Sequence, residues 1–88
     1  MPISRQQFEM GVTQTVIDFM TLVHAVLRSN PTSAYTAEEL TKELGMAGRA
    51  LEPAFGAALA KVVEVGAAES RWIAGNTYYT LGSKPLEL

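Results

Sequence analysis

Cysteine is absent from this 88-residue chain, and charged residues make up only 18% of it. Without cysteine, a disulfide framework, a thiol nucleophile and a cysteine-ligated zinc are all excluded. The 7 Lys and Arg residues against 9 Asp and Glu residues give a formal net charge of −2, whereas dedicated nucleic-acid binders usually carry a basic domain or stripe. Nonspecific attraction to phosphate should therefore be weak.

Long apolar runs are also lacking. Nowhere do about 18 apolar residues follow one another, as a membrane span would require, and the N-terminal segment has no stretch typical of a signal peptide. We therefore expect a cytoplasmic protein without a membrane partner.

Groups suited to catalysis are few. The single histidine, His24, falls in an apolar part of a predicted helix with no acid three or four residues away, which indicates a packed or interfacial imidazole. No glycine-rich phosphate loop follows a predicted strand, and no His, Asp and Glu cluster has metal-ligand spacing. We predict a protein that is not an enzyme and that binds neither a metal nor a cofactor.

Apolar residues, in contrast, make up 48% of the chain. Eighty-eight residues are near the lower size at which one core can stabilise a fold without disulfides or metal. We predict a single domain over residues 1–82, a tail over residues 83–88, and a homodimer that buries part of the apolar surface between chains.

A long first helix is predicted from about Arg5 to Ser29. Ser4 and Gln7 form a capping-box pattern before it, and Pro31 disfavours helical geometry in the residue that precedes it. Its apolar residues are spaced for a broad face, which could be core or a dimer seam. The residues that we assign to the seam are Phe8, Val12, Phe19 and Val23.

Two shorter helices follow. Thr36 and Glu39 form a second capping box that opens a helix ending at Gly45, with Ala37, Leu40 and Leu44 inward and Glu38, Thr41 and Lys42 among the outward residues. The third helix should begin near Leu51 or Glu52, because Pro53 is best placed in a first turn, and should end at Gly66. Its core stripe is predicted as Leu51, Phe55, Leu59 and Val62.

The pattern then changes to β. Two strands, Glu69–Ile73 and Thr77–Leu81, flank Gly75 and Asn76, and Gly75 at the first turn position fits a type II′ hairpin. A two-residue loop there would pair Ile73 with Tyr78 and Trp72 with Tyr79.

The order from Tyr35 to Leu81 resembles the winged helix-turn-helix superfamily, as in small regulators of the MarR, ArsR and PadR kinds. The resemblance implies an α+β fold that is mainly α, with three helices, the first of them long, followed by a two-stranded wing. The residues that carry it are Leu59, Val62, Gly66, Ala67, Ala68, Gly75, Asn76, Tyr78, Tyr79 and Leu81.

The resemblance further implies a dimeric transcriptional regulator that places its third helix in the major groove of duplex DNA and its wing beside the backbone. The residues available for phosphate contacts are Lys42, Arg49, Lys61, Arg71, Asn76 and Thr77, each of which could equally be solvated surface. Base readout needs side chains such as Arg, Lys, Asn or Gln, and the outer face of that helix offers chiefly alanines. The alternative is a protein-interaction module that uses the alanine-rich face of the third helix, with Ala54 and Ala57 in contact with a partner.

Overall fold

The computed structural model describes residues 2–86, and over this range the predicted α+β class, mainly α, is confirmed. The elements are α1 (Arg5–Met10), α2 (Gln14–Ser29), α3 (Ala37–Glu43), α4 (Pro53–Glu64), β1 (Ala68–Ile73) and β2 (Asn76–Leu81). None of the helices in the described range has the length and apolar character needed to cross a membrane.

The predicted single helix from Arg5 to Ser29 is wrong, because the chain breaks between α1 and α2. Gly11 adopts a left-handed conformation with φ of 73°, and its N–H donates to the carbonyl oxygens of Gln7 and Phe8, which closes α1. The Thr13 hydroxyl then accepts a hydrogen bond from the Val16 N–H and opens α2. The capping box of Ser4 and Gln7 is present at the start of α1, as predicted.

The core lies where α2 packs against α4. The predicted stripe of Phe55, Leu59 and Val62 is buried, as expected for one face of an amphipathic helix. The ring of Phe55 meets that of Phe19 edge to face, with centroids 5.4 Å apart and an interplanar angle of 83°, a geometry that aromatic quadrupoles favour. Leu40 from α3 and Ala68 from β1 complete this cluster.

Two predictions of whether a side chain faces the core or the solvent are wrong. Leu51 was expected in the core stripe, but α4 begins at Pro53, and Leu51 lies in the preceding turn with 96% of its surface exposed. Thr41 was expected to face outward, but it is buried. Its hydroxyl donates to the Glu38 carbonyl oxygen at 2.7 Å, so burial leaves no polar group unsatisfied there.

The hairpin tip also differs from the predicted one. The register pairs Ile73 with Asn76 and Trp72 with Thr77, so the turn residues are Ala74 and Gly75. Both have positive φ, 51° and 88°, as a type I′ turn requires. The predicted type II′ turn with Gly75 first is therefore wrong, and Trp72 lies diagonal to Tyr79 rather than directly opposite it.

A third segment borders the hairpin at Tyr35. The Tyr35 N–H donates to the Tyr79 carbonyl oxygen at 2.8 Å, and the Tyr79 N–H donates back to the Tyr35 carbonyl oxygen at 2.7 Å. The Thr80 hydroxyl also donates to the Ser33 carbonyl oxygen at 2.8 Å. The strand order across the sheet is thus the Tyr35 segment, β2, then β1.

The predicted tail, residues 83–88, is partly described. The Lys84 N–H donates to the Gly66 carbonyl oxygen at 3.1 Å, and Leu86 packs against the core. Residues 83–86 therefore lie along the domain, whereas Glu87 and Leu88 lie outside the described residues.

Candidate functional site

The outer face of α4 is smooth and almost without hydrogen-bonding side chains. Pro53, Gly56, Ala57 and Ala60 are all exposed on it. A Cβ atom built at Gly56 would meet nothing within 4 Å, so packing inside the protomer does not require glycine at this position. A glycine in a helix interior costs roughly 1 kcal/mol relative to alanine. The face therefore offers close access to the α4 backbone at a cost in helix stability.

Arg49, predicted to contact phosphate, pairs with Glu52 and lies over the Phe19 ring. Its Nε donates to Glu52 Oε2 and its Nη2 donates to Glu52 Oε1 at 3.1 Å. Its guanidinium carbon lies 5.4 Å from the centroid of the Phe19 ring, within cation–π range. The hydrogen bond raises the pKa of Arg49 and lowers that of Glu52, so both groups are charged near neutral pH.

Lys61 is paired in the same way at the other end of α4. Its Nζ lies 3.1 Å from Glu64 Oε2, and only 23% of its side-chain surface is exposed. The cation and the carboxylate are one helical turn apart, so their fields largely cancel at longer range. Two of the four predicted phosphate-binding cations thus carry their own counter-charge.

The other two predicted cations are uncommitted. Lys42, in the last turn of α3, and Arg71, on β1, are both exposed and form no ion pair within residues 2–86. Asn76 is exposed and Thr77 half-buried where β2 leaves the turn. Arg71 and Tyr78 line a groove of about 280 Å³ on the outer face of the hairpin, which Glu69 makes partly acidic.

Most of the predicted dimer seam is not on the surface. Val12, Phe19 and Val23 are buried in the core of the protomer, so they are not available to a second chain. Phe19 and Val23 lie on the face of α2 that packs on α4, and Val12 lies just before α2. Phe8 is 74% exposed on α1. Ala54 is half-buried against the core, whereas Ala57 points to solvent.

Exposed apolar side chains occur at the hairpin tip, where only polar and charged residues were assigned to a possible contact from the sequence. Trp72 is 70% exposed and Ile73 is also exposed. Trp is enriched among the residues that dominate interface energies. The signal in the sequence was the apolar pair Trp72 and Ile73 directly before the predicted turn, which a hairpin alone does not require.

The single histidine is half-buried in α2. Desolvation, with a smaller contribution from Arg28, lowers the pKa of His24, so the imidazole is neutral at neutral pH. Within residues 2–86, no group of three or more His, Asp or Glu side chains is arranged to hold a metal ion.

No protein-family model, curated protein or solved structure matches this chain. The chemistry of its own surface is therefore the only basis for assigning a function. Three surface features stand out: the smooth face of α4, the uncommitted cations Lys42 and Arg71, and the exposed tip of the hairpin.

Proposed function

We propose that the protein is a winged-helix domain. The order of α2, the Tyr35 segment, α3, α4 and the β1–β2 hairpin supports this assignment, since a short strand between the first two helices of such a domain borders the wing. The first helix of the domain is then α2, and α1 is an addition that precedes it.

Within this fold, the protein acts as a protein-interaction module through the outer face of α4. The observation that carries the proposal is the combination of Gly56, Ala57 and Ala60 on an exposed helix, with open space above Gly56. Small side chains let the backbone of a second helix approach closely, so the face fits a helix of a partner protein. Its lack of charge matches the core of a protein interface, where charged residues are depleted.

The charged residues next to α4 support the same function. Arg49 and Glu52 flank its start and Lys61 and Glu64 its end, each as an ion pair. A rim of neutralised pairs suits a protein partner better than a polyanion, because it adds hydrogen-bonding capacity without net positive potential.

An Ala57→Arg variant tests the module. The residue is exposed in a helix and arginine is a good helix former, so the fold should survive. The matched control is Thr15→Arg, which adds the same charge at an exposed position of α2. Each form is isolated from its native host at its native level, and any co-purified protein is identified, purified and titrated against it by calorimetry.

The expected result is a stoichiometric partner that binds the wild type and Thr15→Arg equally and binds Ala57→Arg at least about 10-fold more weakly, because the added side chain blocks close approach. A direct partner whose affinity is the same for both variants would show that this face is not the contact. Failure of the wild type to retain any stoichiometric partner would likewise remove the proposal.

A second candidate function is binding of duplex DNA, as a transcriptional regulator. The specific observation in its favour is that Lys42 and Arg71 are exposed and uncommitted. Because the outer face of α4 consists chiefly of Ala and Gly, and Lys61 and Glu64 at its end pair with each other, this binding would depend on phosphate and carry little sequence preference.

A salt titration measures how many phosphate contacts such binding involves. Two phosphate contacts per protomer predict a slope of log K against log salt of about −1.8, whereas all four predicted cations would give about −3.6. Replacing both Lys42 and Arg71 with alanine should abolish the salt dependence if these two alone contact phosphate, and should halve the slope if all four cations do, with Arg28→Ala as the control. Absence of duplex binding at the lowest salt concentration would reject the DNA function.

A further inference from the structure

The outer edge of β1 has no partner strand within residues 2–86. The N–H and C=O groups of Tyr79 both bond to Tyr35, so they point away from β1. Ser70 is paired directly with Tyr79. In an antiparallel ladder, the N–H and C=O groups of two paired residues point either toward each other or away from each other. The N–H and C=O of Ser70 therefore point outward, as do those of Trp72 two residues on.

This edge has no proline and no bulge, two of the features that commonly block pairing with another chain. Its charged side chains, Glu69 and Arg71, have opposite signs, so they oppose only those partner strands whose charges do not match. Every residue from Glu69 to Ile73 is exposed, including Trp72, with 70% of its surface in solvent. An edge of this kind is suited to the addition of another strand.

We propose that β1 pairs antiparallel with β1 of a second copy of this chain, across a two-fold axis at Ser70. Each Ser70 exchanges backbone hydrogen bonds with the Ser70 of the second copy, and Trp72 lies opposite its Ala68. The hairpins of the two copies then form one continuous sheet, and the interface is isologous. The inference goes beyond the proposed function, since the edge of β1 and the outer face of α4 are different surfaces.

Charge complementarity favours a second copy of this chain as the source of the strand that pairs with the edge of β1. In the register centred on Ser70, Arg71 lies directly opposite Glu69 of the second copy, and Glu69 lies opposite its Arg71. Opposite charges at directly opposed positions stabilise an antiparallel pair. Both side chains line the outer groove of the hairpin and neither is paired within the described residues, so both are available across the axis.

Neighbouring registers are less favourable. Centring the axis on Arg71 opposes two arginines, and centring it on Glu69 opposes two glutamates, which destabilises each pairing. Centring it on Trp72 leaves Arg71 opposite Ile73 with no charged partner.

Two charge reversals test the pairing and its register together. Glu69→Arg leaves two cations on this face of the strand and Arg71→Glu leaves two anions, so each variant alone opposes like charges in the dimer. Mixed in equal amounts, the two variants restore both opposite-charge pairs in a heterodimer. Sedimentation velocity from about 10 µM to 1 mM covers the weak range that a small interface implies, and circular dichroism confirms that each variant is folded.

We expect the wild type to dimerise and each single variant to have a dissociation constant at least about 30-fold higher. The equal mixture of the two variants should dimerise about as strongly as the wild type. A wild type that stays monomeric throughout would overturn the proposal. So would a dimer that is indifferent to both substitutions, because its interface would then lie elsewhere. Weakening without recovery in the mixture would reject the register on Ser70.

A cysteine cross-link gives an independent measurement, since the chain has no cysteine of its own. In a hydrogen-bonded antiparallel pair the two Cα atoms lie about 5.5 Å apart, within the range that a disulfide spans. Ser70→Cys should therefore form a covalent dimer under mild oxidation at least about 10-fold faster than the control Thr15→Cys, at an exposed position of α2. Equal rates for the two variants would contradict the proposed axis.

Discussion

Replacing Ala74 with asparagine should stabilise the protein. Ala74 has φ of 51° at the first position of the hairpin turn, and it is the non-glycine residue with positive φ within residues 2–86. In this conformation the Cβ atom crowds the backbone of an L-residue, whereas asparagine tolerates it through local hydrogen bonding of its side chain. The type I′ turn in particular favours Asn followed by Gly, and Gly75 already occupies the second position.

The magnitude follows from the cost of the left-handed conformation. That cost is roughly 1–2 kcal/mol for an ordinary residue. We expect Ala74→Asn to recover about 1 kcal/mol, because asparagine still has some preference for other conformations. For a domain of 60–100 residues, this increase in the free energy of unfolding raises Tm by about 4–8 °C. The residue is exposed, so new core contacts play no part.

The assay is thermal unfolding followed by circular dichroism at one protein concentration. The matched control is Ala60→Asn, at an exposed position in the interior of α4. There the same change should lower the stability by about 0.5 kcal/mol, because asparagine is a poorer helix former than alanine. If Ala74→Asn left Tm unchanged or lowered it while Ala60→Asn behaved as expected, the left-handed geometry of Ala74 would not be strained.

Three further outcomes are expected. Phe55→Ala should cost about 3–5 kcal/mol in chemical denaturation, because the ring is fully buried. Gly82→Ala should destabilise the fold more than Gly56→Ala, since a Cβ atom at Gly82 would fall 2.7 Å from the Ala68 nitrogen while Gly56 faces open space. The pKa of His24 is lowered by folding, so the unfolded state binds the proton more tightly. Stability should fall as pH drops below about 6.5, and His24→Gln should flatten that dependence.

Local rules account for much of the fold. Both capping boxes, Ser4 with Gln7 and Thr36 with Glu39, open helices where they were predicted. These signals act over three residues, so they can be identified from the sequence alone. The break after α1 also had local signals, namely Gly11 and the N-cap residue Thr13. The prediction missed the break because the helical spacing of apolar residues continues across both positions.

The candidate surfaces were harder to predict. The spacing of Phe19 and Val23 identified an apolar face correctly, but spacing alone does not distinguish packing on the same chain from packing on another. The pairing of Arg49 with Glu52 was equally hidden, because it depends on the turn that leads into α4. The structure exposes Ala57, as expected for a helix that buries Phe55 and Leu59, but Ala54, which was assigned to the same face, is half-buried.

The arrangement of charges explains why α4 and β1 are suited to different contacts. Lys61 and Glu64 are three residues apart on a helix, where side chains meet, so they neutralise each other and present little field to a ligand. Glu69 and Arg71 are two residues apart on a strand, which separates their Cα atoms by about 6.6 Å along the chain. Their side chains extend outward in parallel from the same face, and an antiparallel strand of the same sequence brings each one opposite its counter-charge. The spacing of opposite charges thus leaves the end of α4 neutral, whereas on β1 it matches a second copy of the strand in the register centred on Ser70.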